Sequence, residues 1–392
     1  MRRLTSRFVF LKFIKKGCLY ILKTVKIILV ATLLLVYTNI GILAAAPDSS
    51  GKAAILMDGS SGRVLYEKNS QQKLPMASTT KIMTAIVALE YGKLDEVITI
   101  PPEASGVEGS SIWLSPGEKH TLEDLLYGLM LRSGNDAATA IAIHIGGSVE
   151  GFVKLMNEMA NKIGAVNSNF RNPHGLPDND HYTTAYDLAL ITSYGLKIPT
   201  FKTIVSTKYK TIPWDGHEWD RVMMNKNKLL WEYEGANGVK TGFTKKAGRC
   251  LVASSVRNVM QLVTVVLNCG PMFEDSALLL DYGFKNYHNQ EFFVKDEFIS
   301  AIPVNRGKIE KLNLVAGKEF SIALTDNEKD LVRMEVVLPK TIEAPITLGQ
   351  QFGSIKIYFD NHLMDEIPVI ASESIDKRNF WDFFRKMVNH WR

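Results

Sequence analysis

Cysteine is scarce: three residues in 392. Cys18 sits in the N-terminal leader, so Cys250 and Cys269 are left, both in apolar β-like runs. A disulfide-stapled scaffold is thereby excluded. The pair reads as buried free thiols, with a disulfide as the alternative. No Cys-x-x-Cys or Cys/His ligand spacing occurs, and neither does a phosphate loop or a dinucleotide fingerprint, so no metal or cofactor is expected. Basic residues do not interleave with aromatics except in the C-terminal tail, so nucleic acid is not an expected partner. No repeat or low-complexity tract is evident. Asp and Glu are missing altogether from residues 1–46.

That last absence explains the charge. The chain carries a formal +5, with 46 % hydrophobic and 22 % charged residues, an ordinary globular composition. Residues 1–46 alone hold eight Lys and Arg, and residues 374–392 carry +3, which leaves −6 over 47–373. The leader runs from its cations into apolar Ile27–Val36 and Ile40–Ala46, ending on three Ala. This reads as a secretory signal peptide, with a retained membrane segment as the alternative. Either way the body is expected to be exported, at the outer face of the cytoplasmic membrane or in the cell wall. In the tail, Phe380, Trp381, Phe384, Met387, Val388 and Trp391 fall on one helical stripe among basic residues. That pattern predicts an amphipathic helix over 374–392 that lies on a membrane surface.

Between the two ends, periodicity predicts a hairpin over 53–68 and helices over 78–91, from Thr121, and over 135–145, 148–163 and 183–195. Strands are predicted over 205–212, 236–242, 249–256 and 260–268. The fold class is α+β (α/β): an antiparallel sheet flanked by helices. From about 291, short apolar runs separated by Gly, Asn, Asp and Lys predict a small all-β domain. The expected organisation is 1–46 leader, 47–290 main domain, 291–371 β-rich domain and 372–392 tail.

Three short motifs carry the chemistry. Ser78-Thr-Thr-Lys81 opens a predicted helix, and residues i and i+3 share a face, so the amine can reach the hydroxyl. Burial and nearby cations would lower the Lys pKa enough to make it a base. Ser-x-x-Lys also occurs at Ser49 and Ser70, without an apolar helical period after it, and at Ser374, in the tail. Ser133-Gly-Asn135 lies between helical segments and could equally be a helix N-cap. Lys240-Thr241-Gly242 ends a strand and could be an edge-strand turn. Together they supply a nucleophile, its base and polar groups for acyl transfer.

The trio, with Pro75-Met-Ala-Ser-Thr-Thr-Lys, Leu129-Met-Leu-Arg-Ser-Gly-Asn-Asp, Asn172-Pro-His-Gly-Leu-Pro and Asn237-Gly-Val-Lys-Thr-Gly-Phe-Thr, resembles the serine D-alanyl-D-alanine carboxypeptidases. These are the low-molecular-weight penicillin-binding proteins, and the likeness is to the sporulation-type branch of Gram-positive spore formers. The resemblance covers about 50–290, and the β-rich domain and tail are also similar to that family's C-terminal part. It implies a β-lactamase/DD-peptidase-like fold, peptidoglycan stem peptides ending in D-Ala-D-Ala as substrate, and β-lactams as inhibitors. Residue by residue it implies Ser78 as nucleophile and Lys81 as its base. Ser133 and Asn135 pass a proton to the leaving D-Ala and orient Lys81. Lys240, Thr241 and Gly242 bind substrate, with the backbone N–H of Phe243 and Ser78 as oxyanion hole. Some relatives bind the terminal carboxylate with a basic residue after the last core strand. Here that stretch, Leu267-Asn-Cys-Gly-Pro-Met-Phe, has none.

A β-lactamase is one alternative, but residues 159–217 contain no Glu to activate a deacylating water. A non-catalytic cell-wall binder is the other. His144 is expected to pack or cap, and Asp187 to cap a helix or join a salt bridge. His174 and His181 are expected to make structural hydrogen bonds, with shaping a loop beside the site as the alternative.

Overall fold

The computed structural model describes residues 46–379. The expected hairpin is present as β1 (Ala53–Asp58) and β2 (Val64–Lys68). Two short ribbons follow: β3 (Val97–Thr99) with β4 (Lys119–Thr121), and β5 (Tyr209–Ile212) with β6 (Arg221–Met224). Strands β7 (Ala236–Thr244), β8 (Gly248–Arg257) and β9 (Met260–Leu267) then complete one antiparallel sheet in the order β2-β1-β9-β8-β7. The strand ending in Lys240-Thr241-Gly242 is therefore an edge strand.

Both faces of this sheet are covered, which is why β1 is apolar from Ala53 to Met57 and buried at every residue. Ile55 and Met57 face the helices Lys81–Tyr91, Asn135–Gly146, Val149–Ile163 and Ala185–Leu196. Ala54 and Leu56 face the helix Met272–Asn286. Local sequence explains the helix starts. Thr121 and Asp124 form a reciprocal capping box, Ser148 accepts from Gly151 N, and Thr184 accepts from Asp187 N.

The helix Lys81–Tyr91 departs from its expected amphipathic form. Residues 81–88 are buried all the way round, because other elements pack on every side. Sequence reading missed Met272–Asn286 and the helix Pro199–Ser206. The strand expected over 205–212 begins only at Tyr209; Pro199, in the first turn, marks the helix that takes up 205 and 206.

The C-terminal part is β-rich, as its short apolar runs between Gly, Asn, Asp and Lys predict. Its strands are β10 (His288–Phe293), β11 (Phe298–Asn305), β12 (Lys311–Ala316), β13 (Phe320–Leu324), β14 (Val332–Val337), β15 (Ile342–Glu343), β16 (Gln351–Phe359) and β17 (His362–Ala371). Six of them form one sheet, β14-β16-β17-β12-β11-β15, over a core that includes Leu312, Leu314, Ile355, Ile357 and Ile367. The β1–β2 turn grips this part: Arg63 pairs with Glu328 and lies 4.0 Å above the Phe359 ring, while Asp58 accepts from Ala323 N at 2.9 Å.

Residues 374–379, expected to open the tail helix, are not helical. Ile375 bridges to Ile346 and Lys377 to Gly307, because the apolar Ile375 is better buried in the β core than on a helix face. The aromatic stripe at 380–392 and the leader at 1–45 lie outside the described residues.

Candidate active site

Ser78 lies in a single turn of 3₁₀ helix, Ala77–Thr80, that runs directly into Lys81–Tyr91. The turn is held in place from several sides. Ala77 sits at φ +49°, a region costly for a side chain-bearing residue. Thr79 Oγ1 donates to Met76 O at 2.6 Å, and Thr80 Oγ1 to Ala77 O at 2.9 Å. His181 Nδ1 accepts from Arg171 N, so its Nε2 carries the proton and donates to Thr80 Oγ1 at 2.7 Å. Burial, the largest cause, lowers the His181 pKa to about 4 and keeps this tautomer neutral. The Asn172–Pro177 loop closes over the turn. A Cβ on Gly175, at φ +92°, would sit 1.9 Å from Ala77 O, so only glycine fits.

Lys81 is fully buried with its ammonium aimed at this turn. Nζ lies 3.2 Å from Ser78 Oγ and donates at 2.6 Å to both Asn135 Oδ1 and His174 O. No carboxylate pairs with it among the described residues. Burial first, then the charges of Lys240 and Lys226, hold its pKa well below the ordinary Lys value. A neutral amine beside a hydroxyl can take that hydroxyl's proton.

Ser133 and Asn135 arrive from the opposite wall. A π-helical turn, Gly128–Arg132, ends on Ser133, which takes the left-handed conformation at φ +66°. The Ser133 hydroxyl is buried and has no hydrogen-bond partner in the protein, so it is available to a substrate. Asn135 begins the next helix rather than capping it, and its Nδ2 donates to Glu108 O. Asp136 accepts from Ser111 Oγ and from the N–H groups of Ile112 and Leu114, tying the 110–114 loop to the motif.

Lys240, on β7, is buried with its pKa lowered to about 7 by burial and by Lys226. Thr241 is half-buried and Phe243 is 65 % exposed. A Cβ on Gly242 would come within 3.1 Å of both Met76 O and Ser78 N, so the glycine lets the strand close on the nucleophile's backbone. The structure thus brings Ser78, Lys81, Asn135, Lys240 and the Gly242 backbone together. Among the described residues no cluster of His, Cys, Asp or Glu could hold a metal ion. A serine hydroxyl beside a buried lysine amine with no paired carboxylate among the described residues, and a second buried lysine on the adjoining edge strand, is an arrangement capable of acyl transfer.

A family model described as D-alanyl-D-alanine carboxypeptidase matches residues 41–270, and one described as the penicillin-binding protein 5 C-terminal domain matches 287–377. This chain belongs to the D-alanyl-D-alanine carboxypeptidase family. It is a serine hydrolase of that type. It is 35 % identical to the D-alanyl-D-alanine carboxypeptidase DacF of Bacillus subtilis, over 87 % of this chain and 90 % of the relative. To DacA of Escherichia coli it is 32 % identical, over 88 % and 89 %. The solved penicillin binding protein 5 of Haemophilus influenzae superposes with a TM-score of 0.68 at 28 % identity, covering 85 % of this chain and all of that one.

Some residues around the site carry no sequence motif. Glu118 and Arg221, about a hundred positions apart, form a buried ion pair in which Arg221 Nη2 donates to both carboxylate oxygens at 2.9 and 2.7 Å, tying the residue before β4 to the start of β6, with His120 Nε2 at 2.9 Å from the same carboxylate. Lys226 donates to Ser110 Oγ and is a third cation near Lys81 and Lys240. His174 proves to be a loop residue at the site, through its backbone carbonyl, and His144 is an exposed neighbour of Glu96 at 3.4 Å. Asp187 accepts from Asn167 N and Ser168 Oγ and pins the loop before its helix. Cys250 and Cys269 are free and buried.

Proposed function

We propose that Ser78 attacks the D-Ala-D-Ala carbonyl of peptidoglycan stem peptides while Lys81 Nζ takes its proton. The observation that carries this is the 3.2 Å approach of a fully buried, unpaired Lys81 to Ser78 Oγ. Asn135 holds Lys81 and orients the peptide amide. The unpartnered Ser133 hydroxyl passes a proton to the leaving D-Ala. Lys240 and Thr241 receive the terminal carboxylate, whose charge would raise the Lys240 pKa on binding. The N–H groups of Ser78 and Phe243 receive the oxyanion, each donor worth about 2.7–4 kcal/mol. β-Lactams enter the same site and acylate Ser78.

In this reading 47–290 is the catalytic domain and 291–371 the spacer that carries it. The basic, aromatic residues of 380–392 suit an anionic lipid surface on the outer face of the membrane. Co-sedimentation with anionic vesicles, lost on truncation after Asn379, tests that part. For the chemistry, Ser78→Ala is expected to abolish both D-Ala release and penicillin labelling; undiminished release would overturn the assignment.

A further inference from the structure

A cavity of about 210 Å³ lies between the 111–113 loop, Arg132 and the β5–β6 ribbon. None of its lining residues has a role in the chemistry above, yet two of its walls are tied to the Ser133–Asn135 motif. Arg132 immediately precedes Ser133, and Asp136 holds Ser111 and Ile112 in place. Within it, the Arg132 guanidinium has no ion-pair partner among the described residues. It lies close enough to Lys226 to help burial depress that ammonium's pKa. Arg221 also lines the cavity and is 4 % exposed; its charge is matched by Glu118, but its Nε–H has no acceptor. Apart from Ser111, whose hydroxyl is taken up by Asp136, the remaining lining residues are apolar or aromatic: Ile112 and Met223 are buried, and the Trp113 indole is 72 % exposed at the rim. The nearby acids Asp215, Glu218 and Asp220 are exposed, and none lines the cavity.

An unmatched cation above apolar walls selects an anion on a short hydrocarbon stem and rejects an amine. The volume equals that of about seven liquid waters, room for a short side chain ending in a carboxylate. The substrate's terminal carboxylate is already assigned to Lys240 and Thr241, and the leaving D-Ala has no other. A second carboxylate must therefore come from upstream of the scissile bond. We propose that this cavity is a subsite for a carboxylate-bearing side chain on the acyl side of the stem peptide, with the carboxylate on Arg132 and its stem against Ile112, Trp113 and Met223. The proposal rests on stem peptides being the substrate.

The test uses two D-Ala-D-Ala peptides that differ only in whether the upstream side chain ends in a carboxylate or a primary amide. For the full-length wild type, kcat/KM is expected to favour the acid by about tenfold, the value of one such contact. Arg132→Gln should cut that ratio below about twofold, Arg132→Lys should retain part of it, and added salt should shrink it. Penicillin labelling stoichiometry confirms that each variant is folded, and the ratio cancels any general loss of activity. No preference in the wild type, or one that survives Arg132→Gln, overturns the subsite while D-Ala release upholds the parent reading. Absence of both D-Ala release and penicillin labelling overturns the parent reading and the subsite with it.

Discussion

Around Ser78 the ammonium groups of Lys81 and Lys240 lie buried with no carboxylate paired to either among the described residues, and both pKa values are pushed down. In the C-terminal β-rich part, Arg306 and Arg378 reach the carboxylates of Glu343 and Glu310 at 3.1 and 3.3 Å at the solvent-exposed surface. The first arrangement costs stability, since a buried charge without a partner is expensive. The second costs almost nothing and contributes little. The fold concentrates its unfavourable electrostatics where a reaction needs a neutral amine and an attracting cation, and relaxes elsewhere. The buried ion pair Glu118–Arg221 stands between these extremes: buried like the site, yet matched.

This contrast can be broken in four places. Lys81→Met should lower the rate of acylation by penicillin by about 10²–10⁴-fold, the usual contribution of a general base, in stopped-flow or gel-labelling kinetics. Arg221→Ala leaves Glu118 buried without its guanidinium, holding only His120 and Ser115 N, and should reduce unfolding free energy by up to about 3–5 kcal/mol in urea titration. The third test is pH. Lys81 must be neutral and Lys240 charged, so kcat/KM rises as pH passes the Lys81 pKa and falls tenfold per unit above about 7, where Lys240 deprotonates. Lys240→Arg keeps the charge and should remove that alkaline fall. Arg306→Ala, at an exposed pair, should change stability by no more than about 1 kcal/mol and leave acylation untouched.

The site was legible where its residues are close in sequence. Ser78 with Lys81, Ser133 with Asn135, and Lys240 with Gly242 each announce themselves by spacing, and the sheet by its alternating or continuous apolar runs. What was missed depends on distant pairs or on tertiary competition. Glu118 meets Arg221 only because β4 and β6 are brought together, and no local pattern marks either. Lys226 becomes a site cation through a loop whose path the sequence does not reveal. Ile375 lies in the first turn of the helix expected over 374–392, yet its burial in the β core outweighs the amphipathic pattern of the sequence that follows it. The helix Met272–Asn286 escaped notice, although Leu279, Leu280 and Gly283 share the face that covers the sheet.

The central claim is that the buried, unpaired Lys81 makes Ser78 the nucleophile. Mass-spectrometric mapping of the purified protein after reaction with penicillin tests it most directly. The account predicts one adduct per chain, on the proteolytic fragment that contains Ser78, and none in Ser78→Ala. An adduct on another residue, or an unmodified chain that is shown to be folded, would contradict it.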